Sequence, residues 1–168
     1  MNALVVYYSW SNGNTERIAE MLGDAIGADT VRIDTALPYE GSYDDVVEQG
    51  RREVEEGFEP ELKPIIADVS DYDVVAIGTP TWWYTMAPAV LSFVRSHDWN
   101  GKTVIPFMTD GGWPGHVIDD MAGSCAGADI VEPMEIRFDS EGGSDMVTPM
   151  EDVEAWISRE SDAGGDVS

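Results

Sequence analysis

A chain of 168 residues with 33 acids against 9 bases carries a net charge of −24, and it is 43% hydrophobic and 10% aromatic. That apolar content excludes wholesale disorder, while the charge excludes nucleic acid or an anionic membrane as the main partner, because either would repel the chain. Partners are expected to be neutral or basic. The carboxylates are scattered from Glu16 to Asp166, and the bases are Lys63, Lys102 and seven arginines. So dispersed a surplus destabilises a fold by self-repulsion unless salt screens it, which predicts a halophilic, salt-rich cytoplasm. A lone Cys125 permits no intrachain disulfide, and no secretory or membrane-spanning run is evident, so the expected location is cytoplasmic.

Residues 3–8, Ala-Leu-Val-Val-Tyr-Tyr, predict the first strand. Ile18, Ala19, Leu22 and Ile26 recur at helical spacing and predict a helix over 15–27 that ends on Gly27. Thr30 to Ile33 predicts a second strand. The stretch 37–64 reads as a connection carrying a helix over 43–56, anchored only by Val46, Val47 and Val54 among many acids, and is expected to be mobile and mostly solvated. Val74 to Ile77 predicts a third strand, followed by a helix over 86–97 with Pro88 in its first turn. A fourth strand is expected over 103–108, a helix over 115–125, a last strand region over 130–138, and a closing helix over 145–159. This alternation predicts one α/β domain over 1–160, a parallel sheet wrapped by helices, with 161–168 as a frayed tail.

In an open parallel sheet the ligand crevice lies beyond the carboxyl ends of the strands, so the following loops carry the chemistry. After the first strand stand Ser9-Trp10-Ser11-Asn12-Gly13-Asn14-Thr15, with hydroxyls, amides and a glycine at a helix N-terminus. Such a loop can cradle a phosphate with backbone N–H groups and neutral side chains, although an ordinary polar helix cap would look similar. It contains neither Gly-Lys-Ser/Thr nor Gly-x-Gly-x-x-Gly. After the third strand stand Thr79-Pro80-Thr81-Trp82-Trp83-Tyr84, whose aromatics suit stacking on a flat ring system, though one Trp could simply pack under the next helix. After the fourth stand Thr109-Asp110-Gly111-Gly112-Trp113-Pro114-Gly115, where glycines allow backbone to approach a ligand.

Together these three loops resemble the flavodoxin family, and more closely a branch with a double tryptophan, over nearly the whole chain. The resemblance implies a three-layer sandwich around a five-stranded parallel sheet of order 2-1-3-4-5, FMN as cofactor and electron transfer as activity. It assigns Ser9, Ser11, Asn12, Gly13, Asn14 and Thr15 to the phosphate. Pro80, Thr81, Trp82, Trp83 and Tyr84 then flank one side of the isoalloxazine ring, and Thr109, Asp110, Gly111, Gly112 and Trp113 the other. Two departures stand out: the phosphate loop is one residue longer than the usual pattern, by Asn12, and Tyr84 and Trp113 are bulkier than expected beside a ring. The implied role is an electron carrier for a redox partner with a basic docking face, with no catalytic side chain and no metal. An FMN-dependent NAD(P)H:quinone-type reductase and a flavin-free binding module are the competing readings. Gly123-Ser124-Cys125-Ala126-Gly127 has nucleophile-elbow spacing but follows a helical pattern instead of a strand, and both histidines, His97 and His116, lie upstream. Ser9 and Thr79 stand where a receiver domain needs carboxylates.

Overall fold

The computed structural model describes residues 2–10, 12–141 and 143–165, with side chains through Ser161. In chain order the elements are β1 (Ala3–Tyr7), α1 (Asn14–Ile26), β2 (Asp29–Arg32), α2 (Tyr43–Glu56), a 3-10 turn (Val69–Asp71), β3 (Val74–Trp82), β4 (Thr85–Met86), α3 (Pro88–Arg95), β5 (Thr103–Asp110), α4 (Val117–Ser124), β6 (Asp129–Ile130), β7 (Met134–Arg137) and α5 (Met150–Gly165). Strands run β2-β1-β3-β5-β6, with β4 antiparallel on β3 and β7 parallel on β5.

Seven strands stand where five were expected, for two local reasons. β3 is longer than predicted and turns back on itself, so Thr81 pairs with Met86 and Trp82 with Thr85. The last strand position is filled twice: β6 pairs with Thr103 and Val104, and β7 with Phe107 to Asp110. Pro106 and Pro133 lack N–H donors on either side of that gap, and Glu132 within it has φ +44°. Counted as strand positions, the parallel order 2-1-3-4-5 is retained.

The sheet is apolar on both faces because its strands are covered twice. Leu4, Val6 and Tyr8 point into one core, with Val90, Phe93 and Val94 of α3 and Val117 and Met121 of α4. Val5 and Tyr7 point into the other, with Ile18, Ala19 and Leu22 of α1 and Val153 and Trp156 of α5. Trp156 is fully buried and its Nε1–H donates to the Glu132 carbonyl at 2.8 Å, so α5 is pinned to the bulge that splits the last strand.

Helix boundaries shift where caps decide them. Pro88 opens α3 at its first position. The closing helix starts at Met150 and continues through Gly165, beyond the predicted end and through most of the segment read as a frayed tail; 166–168 lie outside the described residues. The excursion over 37–64 is more firmly seated than its composition implied. Ser42 and Asp45 form a reciprocal capping box, and Val46, Gly50 and Glu53 of α2 are buried.

On α5, Glu160 is 5% exposed, one of its oxygens has no hydrogen-bond partner among the described residues, and burial, then the nearby Glu132 charge, pushes its carboxyl up to about 7. The folded chain therefore holds this proton more tightly than the unfolded chain, and stability falls as pH rises from about 4.5 through 7. Glu160→Gln is expected to add about 2–3 kcal/mol at pH 8 and little at pH 4.5, read by urea unfolding. An equal gain at both values would contradict the buried acid.

Candidate functional site

The cleft lies at the carboxyl ends of β1, β3, β5 and β7, with a volume of about 310 Å³. Of the residues predicted to bind, Asn12, Asn14, Thr15, Pro80, Thr81, Trp82, Trp83, Thr109, Asp110 and Gly111 line it. Ser9 is not in the lining; it is 2% exposed, with its hydroxyl unpartnered among the described residues. Gly13, at φ +73°, is the N-cap of α1. Ser11 lies outside the described residues. Tyr84, Gly112 and Trp113 are not in the lining, and Tyr84 and Trp113 are more than half exposed.

The phosphate-type end is built from α1. Its N-cap, Gly13, has no side chain and makes no side-chain capping bond, so the positive end of the helix dipole faces the cleft without a cap from that position. Thr15 is 1% exposed, and its Oγ1 shares a hydrogen bond of 2.8 Å with Thr109 Oγ1. Thr81 Oγ1 donates to the Thr109 carbonyl at 3.1 Å, so three threonines tie the α1 end to both ring loops. Asn14 Nδ2 donates to the Gly143 carbonyl at 3.0 Å, which brings the segment after β7 against the same end. Within that segment, backbone N–H bonds from Gly143 first, then Asp145 and Glu141, hold the Asp139 carboxyl below the usual carboxylate range.

The aromatic wall separates the two tryptophans. Trp82 packs inward, edge-on to Tyr8, Trp10 and Tyr39 at centroid distances of 5.9, 6.1 and 5.0 Å. It also rests on α2 at Gly50, where a Cβ would come within 2.9 Å of its ring. Behind it, Glu53 is 8% exposed, accepts a hydrogen bond from the Tyr39 hydroxyl at 3.2 Å and is pushed up by burial. Trp83 is 42% exposed and donates its Nε1–H to the Val47 carbonyl at 2.9 Å.

Trp83 and Tyr84 form the two-residue turn between β3 and β4, with φ +50° and +69°, the positive pair that a type I′ hairpin demands. Neither is a residue that tolerates this region cheaply. The turn is held from outside: the His116 N–H donates to the Tyr84 carbonyl at 2.8 Å, and Gly115 admits that carbonyl where a Cβ would lie 2.2 Å away. Tyr84→Gly is expected to stabilise the chain by about 0.5–1 kcal/mol, the relieved strain less the entropy of glycine, measured by urea unfolding. A loss of stability would mean that the phenol ring holds the turn.

The remaining wall is acidic. Asp110 is 7% exposed, one carboxylate oxygen accepts the Gly112 N–H at 2.6 Å, and the other has no partner among the described residues. Burial first, then the Asp110 carboxylate beside it, pushes the Glu135 carboxyl up.

Several lining residues carry no expectation from the sequence: Trp10, Tyr43, Val46, Val47 and Gly50 on one side, Phe138, Asp139 and Gly143 on the other. Trp10 and Tyr43 stack at 5.6 Å and 26°, closing the cleft's α2 side. The Asp139-to-Asp145 stretch was signposted by its Ser, Gly and Asp residues after the last strand. Elsewhere, Cys125 is buried at the end of α4 and its thiol is pushed up to about 11 by burial, the environment of an inert core cysteine. His97 lies just past α3 against Phe93, with Nδ1 2.9 Å from the Phe93 carbonyl.

A parallel sheet with a helix-end anion cradle and aromatic walls at its switch point defines an α/β protein whose crevice suits a flat, terminally phosphorylated ligand. The chain belongs to the flavodoxin family, whose profile, Flavodoxin, matches residues 2–134. Comparison with curated proteins finds no matching sequence. Among solved structures, a protein of Bacteroides eggerthii provisionally called a flavoprotein is similar at 29% identity and TM-score 0.75, over 94% of this chain and 96% of that one. A flavoprotein of Lactobacillus acidophilus in complex with FMN is similar in fold at 18% identity and TM-score 0.67, over 80% and 91%. Flavodoxin 1 of Bacillus cereus is similar in fold at 19% identity and TM-score 0.62, over 100% and 99%.

Proposed function

We propose that the chain binds FMN in this cleft and carries electrons between redox partners. The observation that carries this reading is the N-terminus of α1, without a side-chain cap from Gly13, opening onto a cleft lined by buried Thr15, with the unpartnered Ser9 hydroxyl in the loop that precedes the helix. A terminal phosphate satisfies those donors, and no carboxylate of the β1–α1 loop competes for them. Asn14 and Thr15 would hold the phosphate; Thr81, Trp82, Trp83 and the Thr109-to-Gly111 backbone would hold the ring. FMN supplies the electron-transfer chemistry when bound. The chain's own contribution is position and field. Trp10, Tyr43 and the α2 residues Val46 and Val47 exclude water from one side of the cleft. Asp110 and Asp139 present negative charge to the other side, which disfavours adding electrons there and makes the reduced protein a strong donor.

The partner is a protein with a basic docking face, since a −24 chain attracts one and repels nucleic acid. The proposed setting is a salt-rich cytoplasm. The test separates carrier from reductase. Purified protein loaded with FMN is mixed anaerobically with NADPH and NADH in molar KCl while the visible band is followed. A carrier keeps its colour over minutes and bleaches only when a reductase or dithionite is added; rapid bleaching by either nucleotide alone would make the chain a reductase.

A further inference from the structure

One side chain brackets the β1–α1 loop from outside the cleft. Arg32, the last residue of β2, sends each arm of its guanidinium to a different acceptor. Nη2 donates to the Ser9 carbonyl at 2.5 Å, Nη1 to Glu16 Oε2 at 3.0 Å and Nε to Asp34 Oδ1 at 3.0 Å. Its guanidinium carbon also lies 5.9 Å from the ring centroid of Tyr7, the last residue of β1. Arg32 therefore touches the residue that leads into the loop, the loop's own backbone, and the first turn of the helix that ends it.

We infer that Arg32 is a positioning residue for the ligand phosphate, orienting the Ser9–Trp10 peptide and neutralising Glu16 so that the loop accepts a dianion. The inference rests on the FMN reading above. Two physical arguments support it. A trans peptide points its C=O and N–H in opposite directions, so drawing the Ser9 carbonyl onto Arg32 turns the Trp10 N–H to the other side of the loop. Glu16 lies in the first turn of α1, where its charge suits the helix dipole but opposes a phosphate at the same helix end. Arg32 offsets that charge. Asp34 in turn holds the Nε arm, and Arg17, the residue after Glu16 in α1, is exposed. An exposed ion pair alone would be worth little; what distinguishes Arg32 is that one fork spans three separate acceptors, one of them loop backbone.

The test is a fluorescence titration of FMN and of riboflavin, which lacks the phosphate, into the full chain in molar KCl. The proteins are wild type, Arg32→Gln, Arg32→Lys, Glu16→Gln and the double variant Arg32→Gln/Glu16→Gln. Arg32→Gln is expected to weaken FMN about tenfold or more while riboflavin changes less than about twofold. The double variant recovers part of the FMN loss, a rescue that a merely structural arginine would not show. Should Arg32→Gln fail to fold, Arg32→Lys decides: it keeps the charge and loses the fork, and an FMN-selective loss of about threefold or more supports the role. Equal losses for the two flavins, no loss for either, or no rescue in a folded double variant would overturn it. A wild-type chain that binds riboflavin and FMN equally, or neither, would remove the FMN reading itself, a result recognisable before any variant is made.

Discussion

Thr15→Ala should weaken FMN by about 10–100-fold and leave riboflavin within about twofold, because a lost hydrogen bond to a charged group costs about 1.5–3 kcal/mol. Thr15 is the second residue of α1, 1% exposed, and its hydroxyl meets Thr109 Oγ1 at 2.8 Å. A hydroxyl has one proton and two lone pairs, so this bond leaves capacity for a second partner in the cleft. Removing it would strip one proposed phosphate contact and also break the tie to Thr109 near the end of β5. Asn14→Ala should cost less, since Asn14 Nδ2 is already committed to the Gly143 carbonyl. Titration of both flavins decides the matter: equal losses would make Thr15 part of the scaffold and move the phosphate elsewhere.

The second large effect is salt. Among the described residues the arginine side chains of Arg32, Arg51, Arg95 and Arg159 are paired with acids, and Lys102 is spent on the backbone carbonyls of Val69 and Tyr72. The chain has 33 acids, and among the described residues most carboxylates have no basic partner, so dissolved ions are the screen that remains. Screening length falls from about 30 Å at 0.01 M to about 3 Å at 1 M. The thermal midpoint should therefore rise by about 10 °C or more between 0.05 M and 2 M KCl, and FMN, a dianion at its phosphate, should bind more tightly over the same range. A flat midpoint would remove the halophilic setting and leave the acidic excess to partner docking.

Much of the fold was legible because it is written in apolar periodicity. Strand β1, helix α1 and helix α2 fall within a residue or so of their predicted positions, and a parallel sheet follows from alternation, whereas the strand order came from the family resemblance. What was hidden depends on contacts that periodicity does not carry. Gly50 reads as a weak point in a solvated helix, yet its missing Cβ is what lets Trp82 lie against α2. The Trp83–Tyr84 turn has none of the Asn or Gly that announce a type I′ hairpin, so β3 was ended early. The split of the last strand, in contrast, was signposted by Pro106 and Pro133, which a reading of apolar runs passes over. In the site, the predicted loops converge on one cleft, while Tyr84 and Trp113 turn away from it. The wall supplied by α2 was invisible because a strongly acidic helix with three valines looks solvated until its few apolar residues are seen to face aromatic rings.

The most direct measurement is the mass of the flavin retained by the purified chain after incubation in molar KCl with equimolar FMN, FAD and riboflavin, followed by gel filtration and release of the ligand. FMN alone, near one per chain, is the expected result, because the proposed site offers the α1 end to one terminal phosphate and its loop lacks the turn that a pyrophosphate needs. Retention of FAD, or no flavin at micromolar concentration, would contradict it.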